Sequence, residues 1–333
     1  MRKYKFAVVG ATGMVGRTFL KVLEERKLPI DKIYFFASSK SAGKTISFIG
    51  EDYVVEELTE NSFDRGIDIA LFSAGGSTST RFSPIASSKG CIVIDNSSAW
   101  RMEPSVPLVV PEVNPEDIKW NNGIIANPNC STIQAVVALK PLQDKYGIKR
   151  VVYSTYQAVS GAGMGGCSDL ENGLKGEPPN KFCHPIAGNC LPHIDVFTEN
   201  GYTKEEIKMI QESRKILGLP NLRVTATTVR VPVFNGHSES INVEFENQFV
   251  LEELKNVLMS AQGIIVQDDL SNNIYPMALT ASGKDEVFIG RIRRDESVES
   301  GINMWVVADN VRKGAATNAV QIAQKIIEYW ETE

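Results

Sequence analysis

Continuous apolar runs alternate with helical periodicity through the first part of the chain. Phe6-Ala7-Val8-Val9 is the first run, of the kind carried by a strand buried on both faces, and Phe19, Leu20 and Leu23 follow it at helical spacing. Ile33–Ala37, Ile67–Phe72 and Cys91–Asp95 repeat the strand pattern, with a helical stretch ending at Lys89 between the last two. Strands alternating with helices predict a parallel, doubly wound sheet whose ligands bind beyond the carboxyl ends of the strands. A further run, Gly123-Ile124-Ile125-Ala126, enters Asn127-Pro128-Asn129-Cys130-Ser131-Thr132. Pro128 biases Asn127 away from helix, so the strand stops there. Ile133, Val136, Val137 and Lys140 then recur at helical spacing, with Ser131 and Thr132 as capping types.

The pattern changes after that helix. Arg150–Gln157 alternates as a half-buried strand does, and Ser160–Gly166 reads as a mobile glycine loop rather than a helix start. Lys204–Leu217 is an amphipathic helix, with Glu205 and Lys208 sharing a face as a solvated surface pair by default. The β-rich block Val224–Glu239 with the strands Ser240–Glu246 and Met304–Ala308 predicts a mostly antiparallel sheet, and Ala315–Trp330 a closing helix that packs back on the first domain. The expectation is an α/β chain of two domains, 1–127 with 313–333 and 128–312.

With 333 residues and 43% hydrophobic content, the chain is long enough for two cores. A formal charge of -5 gives no electrostatic case for nucleic acid or an anionic membrane. The basic start leads into an apolar run too short for a signal peptide, and no later run spans a bilayer. Five cysteines without disulfide spacing predict a reduced, cytoplasmic protein.

Chemistry concentrates at strand ends. Gly10-Ala11-Thr12-Gly13-Met14-Val15-Gly16 lies between the first strand and its helix. There glycines let backbone N–H groups approach a pyrophosphate at a helix N-terminus, a Rossmann-type dinucleotide unit with GxxGxxG in place of GxGxxG. The next strand ends in Ser38-Ser39-Lys40-Ser41, hydroxyls and a cation where an NAD site carries an acid, which suits the 2′-phosphate of NADP. A solvated loop is the alternative. Ser73 to Gly75 and Arg101 also fall at strand ends, Arg101 as a candidate for an anionic group or an ordinary surface cation. Cys130, at the start of its helix, is placed where the dipole favours thiolate; an inert buried cysteine is the alternative. Gln157 ends a strand. Arg230 lies within one and needs an anionic partner if buried. His237 follows an Asn-Gly turn that exposes and positions a side chain. Cys183, His184, Cys190 and His193 match no compact zinc pattern, and no metal is expected.

Seven motifs together resemble the bacterial type of aspartate-β-semialdehyde dehydrogenase. They are GATGMVG at Gly10, SSAWRM at Ser97, NPNCST at Asn127, YQAVSGAG at Tyr156, EEIKM at Glu205, VRVPVFNGHSE at Val229 and DNVRKGAA at Asp309. They run in order from the first strand to the closing helix. The glyceraldehyde-phosphate enzyme differs in its Ser-Cys-Thr-Thr-Asn run, and N-acetyl-glutamyl-phosphate reductase has glycine where Asn129 stands.

The resemblance implies an NADP-dependent, phosphorylating aldehyde dehydrogenase. Its substrates would be aspartate semialdehyde and phosphate or, in reverse, aspartyl phosphate, on the route to lysine and diaminopimelate, methionine, threonine and isoleucine. It implies Cys130 as nucleophile forming a thioester, His237 as general acid/base and Gln157 as orienting group. Arg230 would take the substrate carboxylate and Glu205 its ammonium, with Arg101, Asn129 and Lys208 at the phosphate position. Gly10, Thr12, Gly13, Met14, Val15, Ser38, Lys40, Ser41, Ser73, Gly75, Ser160, Gly161 and Asn310 would contact NADP. A homodimer through the second domain is expected. Cys183, His184 and Cys190 depart from the family pattern. Two other readings stay open: a cysteine acyltransferase without redox chemistry, and a non-catalytic NADP-binding protein.

Overall fold

The computed structural model describes residues 2–332. The chain forms two compact units, one ending at Pro128 and resuming at Ala315, the other running Asn129–Gly314.

The first unit holds a six-stranded parallel sheet. β1 (Tyr4–Val9), β2 (Ile30–Ala37), β6 (Ile69–Phe72), β7 (Ile92–Asp95) and β8 (Ile124–Ala126) follow the apolar runs, and the two-residue β5 (Glu56–Glu57) adds an edge. The order is β5-β2-β1-β6-β7-β8. β3 (Thr45–Phe48) and β4 (Glu51–Val54) make a separate hairpin that the apolar pattern did not announce. α1 (Met14–Glu25) and α2 (Gly76–Ser88) follow β1 and β6. The closing helix α8 (Thr317–Thr332) belongs to this unit and packs against α1, with Ala319, Val320, Ile322, Ala323 and Ile326 in the same core as Phe6, Val8, Phe19 and Leu23. These strands are buried on both faces because helices cover both, which is why they read as unbroken apolar runs.

In the second unit α3 (Cys130–Tyr146) packs on a mixed sheet of β9 (Ile148–Gln157), β10 (Arg223–Arg230), β11 (His237–Phe245), β12 (Ile264–Val266), β13 (Val287–Arg294) and β14 (Gly301–Ala308). The order is β10-β9-β11-β14-β13-β12. The three central pairings are antiparallel and both edge pairings, β10 with β9 and β12 with β13, are parallel. α5 (Lys204–Ile216) lies against α3 and β10, and α6 (Leu251–Ser260) against α3 and β12.

The glycine stretch after β9 is not a loop. It forms a 3-10 turn at Val159–Ala162 and then α4 (Met164–Gly173). Sequence polarity misled here because α4 buries one carboxylate and few apolar groups. Asp169 accepts the N–H groups of Asn180, Lys181 and Phe182, and Leu170 joins Val159, Ile186 and Leu191 in a small core. A short helix, α7 (Ala278–Ala281), precedes β13.

Candidate active site

Cys130 is the first residue of α3, and the helix is capped by Asn129, not by Ser131 or Thr132. Asn129 Oδ1 accepts from the N–H groups of Ser131 and Thr132, at 3.0 and 3.2 Å. Asn129 is itself clamped from α5. Its backbone N–H donates to Glu212 Oε2 at 2.6 Å and its Nδ2 to Glu205 Oε1 at 2.8 Å. The cysteine therefore stands on a helix end whose orphan N–H groups are oriented by a buried side-chain network. Gly314 closes in from the far end of the unit; a Cβ there would lie 2.9 Å from that of Cys130.

Glu205 is the hub of that network and is buried, so the solvated surface pair expected for it is corrected. Glu205 Oε1 also accepts from Gln157 Nε2 at 3.3 Å, and Lys208 Nζ reaches Oε2 at 3.3 Å and Asp195 at 2.7 Å. Amphipathic spacing hid this because the apolar residues of α5 mark the same face as Glu205, Glu206 and Glu212, which are buried with them. Glu206 closes a capping box with Thr203 and accepts the N–H of Thr228.

Arg230 ends β10 beside Gln157, with which it is in register on β9. It is 5% exposed, donates Nη1 to the carbonyl of Ala158 at 2.7 Å and leaves Nε without a partner. Burial lowers its pKa, while the charges of Glu205 and Cys130 oppose that fall. The Phe182 ring lies 6.0 Å from the guanidinium, and backbone bonds join Leu191 to Arg230 in both directions.

His237 is not exposed by its Asn-Gly turn. It is the first residue of β11 and fully buried, because β14 flanks it and α3 packs over the strand. Nδ1 accepts the N–H of Ala158 at 3.0 Å, which places the proton of the neutral ring on Nε2, an atom without a protein partner. Burial, then the neighbouring charge of Arg230, holds the imidazole well below its usual range. Gly161 borders both groups: a Cβ there would lie 2.8 Å from Arg230 Nη1 and 3.2 Å from His237 Nε2. Ser160 and Asn310 bond to each other, Asn310 Nδ2 donating to Ser160 Oγ at 2.9 Å, and Asn310 Oδ1 accepts the N–H of Gly236.

The remaining predicted residues belong to the first unit. Gly10 turns out of β1 at φ +86°, and a Cβ there would stand 2.3 Å from Ser73 O, so only glycine lets these two strand ends approach. A cleft of about 470 Å³ opens at this point, lined among others by Gly10, Thr12, Gly13, Ser38, Ser39, Glu57 and Ser73. Glycine at the tight turn, the α1 N-terminus beyond Gly13 and a cleft at the strand ends fit a nicotinamide dinucleotide. Met14 and Val15 open α1, Gly75 precedes α2 at φ +86°, and Lys40 and Ser41 lie in the turn after β2. Glu57 also lines this cleft and was not singled out in the sequence, since a two-residue edge strand carries no periodicity. Arg101 is buried, not a surface cation, donating Nε to Asn127 O at 2.9 Å and Nη2 to Asn96 O at 3.0 Å.

Cys183 Sγ lies 3.7 Å from His193 Nδ1 on the surface. Among the described residues no group of three His, Cys, Asp or Glu is arranged to hold a metal, no disulfide forms and no helix is long and apolar enough to cross a membrane.

A dinucleotide-binding sheet followed by a unit with a helix-end cysteine and buried Arg and His defines a semialdehyde dehydrogenase. The family model for the semialdehyde dehydrogenase NAD-binding domain matches residues 5–121, and the one for its dimerisation domain matches 139–313. Aspartate-semialdehyde dehydrogenase of Aquifex aeolicus is 62% identical over 98% of both chains. The crystal structure of aspartate semialdehyde dehydrogenase II of Vibrio cholerae complexed with ASA superposes at a TM-score of 0.95, with 48% identity over 98% of this chain and 99% of that one. That of the Candida albicans enzyme with NADP gives 0.79, with 28% identity over 98% of each. The chain belongs to the aspartate-semialdehyde dehydrogenase family, and it is an oxidoreductase of that family.

Proposed function

We propose that the chain interconverts aspartate semialdehyde, phosphate and NADP with aspartyl phosphate and NADPH through a thioester on Cys130, in the biosynthesis of lysine, methionine, threonine and isoleucine. Arg230 carries the proposal. A buried guanidinium with an unpartnered Nε, set among Glu205, Gln157 and Gly161, is poorly explained by folding alone. A substrate carboxylate completes it. The ASA-bound Vibrio cholerae relative supports the substrate, and the NADP-bound Candida albicans relative supports the cofactor.

The α3 N-terminus favours the thiolate of Cys130, which adds to the aldehyde carbon. The developing alkoxide is then within the competence of His237, whose Nε2–H donates a hydrogen bond to it. Its low pKa keeps the ring neutral at working pH, so no proton needs to be shed before turnover. Gln157 and Glu205 hold the amino acid end, Glu205 by its charge on the ammonium, and Lys208, Arg101 and Asn129 serve the phosphate that attacks the thioester. Gly10 to Val15, Ser73 and Gly75 would hold the dinucleotide, with Ser160, Gly161 and Asn310 toward its ring and Ser38, Lys40 and Ser41 at the 2′-phosphate, and the bound nicotinamide would supply the hydride acceptor. Thiolate suits both halves, as a strong nucleophile and a good leaving group.

The test is an assay of NADP reduction by aspartate semialdehyde with and without phosphate. Phosphate-dependent reduction that vanishes in Cys130→Ala is expected. Turnover surviving in that variant, or hydrolysis without reduction, would replace the proposal with an acyltransferase reading.

A further inference from the structure

Glu239 is an acid that this chemistry leaves unused. It follows His237 by two residues in β11, so both side chains project from the same face of the sheet. Register places Thr228, Thr155, Glu239 and Val306 side by side across β10, β9, β11 and β14, all fully buried. The adjacent row holds Arg230 beside Gln157 and His237 beside Ala308. Gln157 Nε2 donates to Thr155 Oγ1 at 3.3 Å, which ties the two rows together.

Glu239 and Glu205 have opposite surroundings. Glu205 gathers donors from Asn129, Gln157 and Lys208, whereas neither oxygen of Glu239 has a partner. The ionisable groups near Glu239 are Glu205 on α5 and Tyr153 on β9, with His237 and Arg230 one row away on β11 and β10 and Cys130 at the start of α3, which packs on β11; Val306 is its neighbour on β14. None of the cations bonds to Glu239. A lone carboxylate in so dry a place takes up a proton instead of keeping its charge. Two acids in unlike surroundings divide in this way, one charged and one neutral. Burial, then the nearby charge of Glu205, pushes the Glu239 carboxyl well above its usual range.

We propose that Glu239 is a positioning residue held as a neutral carboxylic acid beneath Gln157, which leaves Glu205 the single anion of the pair and so free to meet the substrate's ammonium group. This rests on the substrate reading of Glu205 given above. Ionising Glu239 would set a second negative charge against Glu205 and disturb the Gln157–Thr155 row.

The test compares the wild type with Glu239→Gln, a neutral isostere. Infrared difference spectra of the free enzymes are expected to show the carbonyl stretch of a protonated carboxylic acid in the wild type alone. The Gln variant should hold KM for the semialdehyde within about twofold at neutral pH and lack the alkaline rise of KM expected of the wild type. The sign for stability follows from linkage. A folded pKa raised above 4.5 gives stability that is complete below that pH and lost as pH climbs toward the folded value, so the Tm advantage of Glu239→Gln should widen with rising pH. Absence of the carboxylic band, a pH-independent Tm difference or a KM raised about tenfold in Glu239→Gln would each overturn the proposal. An unchanged KM in Glu205→Gln would overturn the substrate reading and the purpose given to Glu239, while band and Tm slope report its protonation independently.

Discussion

Arg230 and His237 are the residues at which burial contributes most to the site. A planar fork with Nε left open matches a carboxylate in a way that an ammonium does not, so Arg230→Lys should raise KM for the semialdehyde about tenfold or more with a smaller loss in kcat. Steady-state kinetics checks this, and an unchanged KM would remove Arg230 from the substrate site. His237→Asn should lose kcat while KM changes little. The same variant carries a pH signature, because the folded imidazole titrates well below 6.5. Stability tied to that neutral ring is present above 6.5 and falls away as pH drops, so the wild type should lose Tm faster than His237→Asn below that point. Parallel melting curves across pH would refute the assigned cause. Arg230 was legible as a guanidinium needing an anion. The burial of His237 was not, because its turn is a surface signal and only packing shows what covers it.

At the scale of elements, the start of α3 depends on α5 more than on its own residues. Asn129 caps the helix, yet Glu205 and Glu212 hold Asn129, so the geometry of Cys130 is set from a helix more than seventy positions away in the chain. Asn129→Ala should cost about 1 kcal/mol from the cap alone. Alkylation of Cys130 should also slow, which thermal melts and iodoacetamide labelling would measure together. A stability loss with unchanged labelling would confine Asn129 to a structural part. The spacing of seven between Glu205 and Glu212 is a visible sign of a shared helical face; that the face is the buried one is a tertiary fact. α4 is the converse case, a helix whose polar sequence gave no periodicity because Asp169 and Leu170 satisfy it from one buried side.

For the whole molecule, the choice of NADP and the homodimer are the proposals that remain to be measured. Lys40→Ala should raise KM for NADP about tenfold while leaving NAD nearly unaffected, since only the former carries a 2′-phosphate. Equal effects on both cofactors would remove Lys40 from that role. The sheet face bearing Tyr156, Ser238 and Trp305 is covered only in part, by the short α7 packed on β14; Tyr156 is 39% exposed and its ring lies 5.4 Å from that of Trp305. If this face joins two copies, Tyr156→Glu should halve the mass seen by light scattering, and an unchanged mass would place the interface elsewhere. The glycine turn at Gly10, the parallel sheet and the cysteine at a strand-to-helix junction were determined by the sequence itself. Each is a local matter of apolar runs, backbone freedom and the residue before a proline. Only the tertiary structure decided which polar groups lie dry. Glu205, Glu212, Glu239 and His237 look like surface residues in a linear chain, and burial with or without a partner, which sets their charge, exists only once distant strands and helices have met.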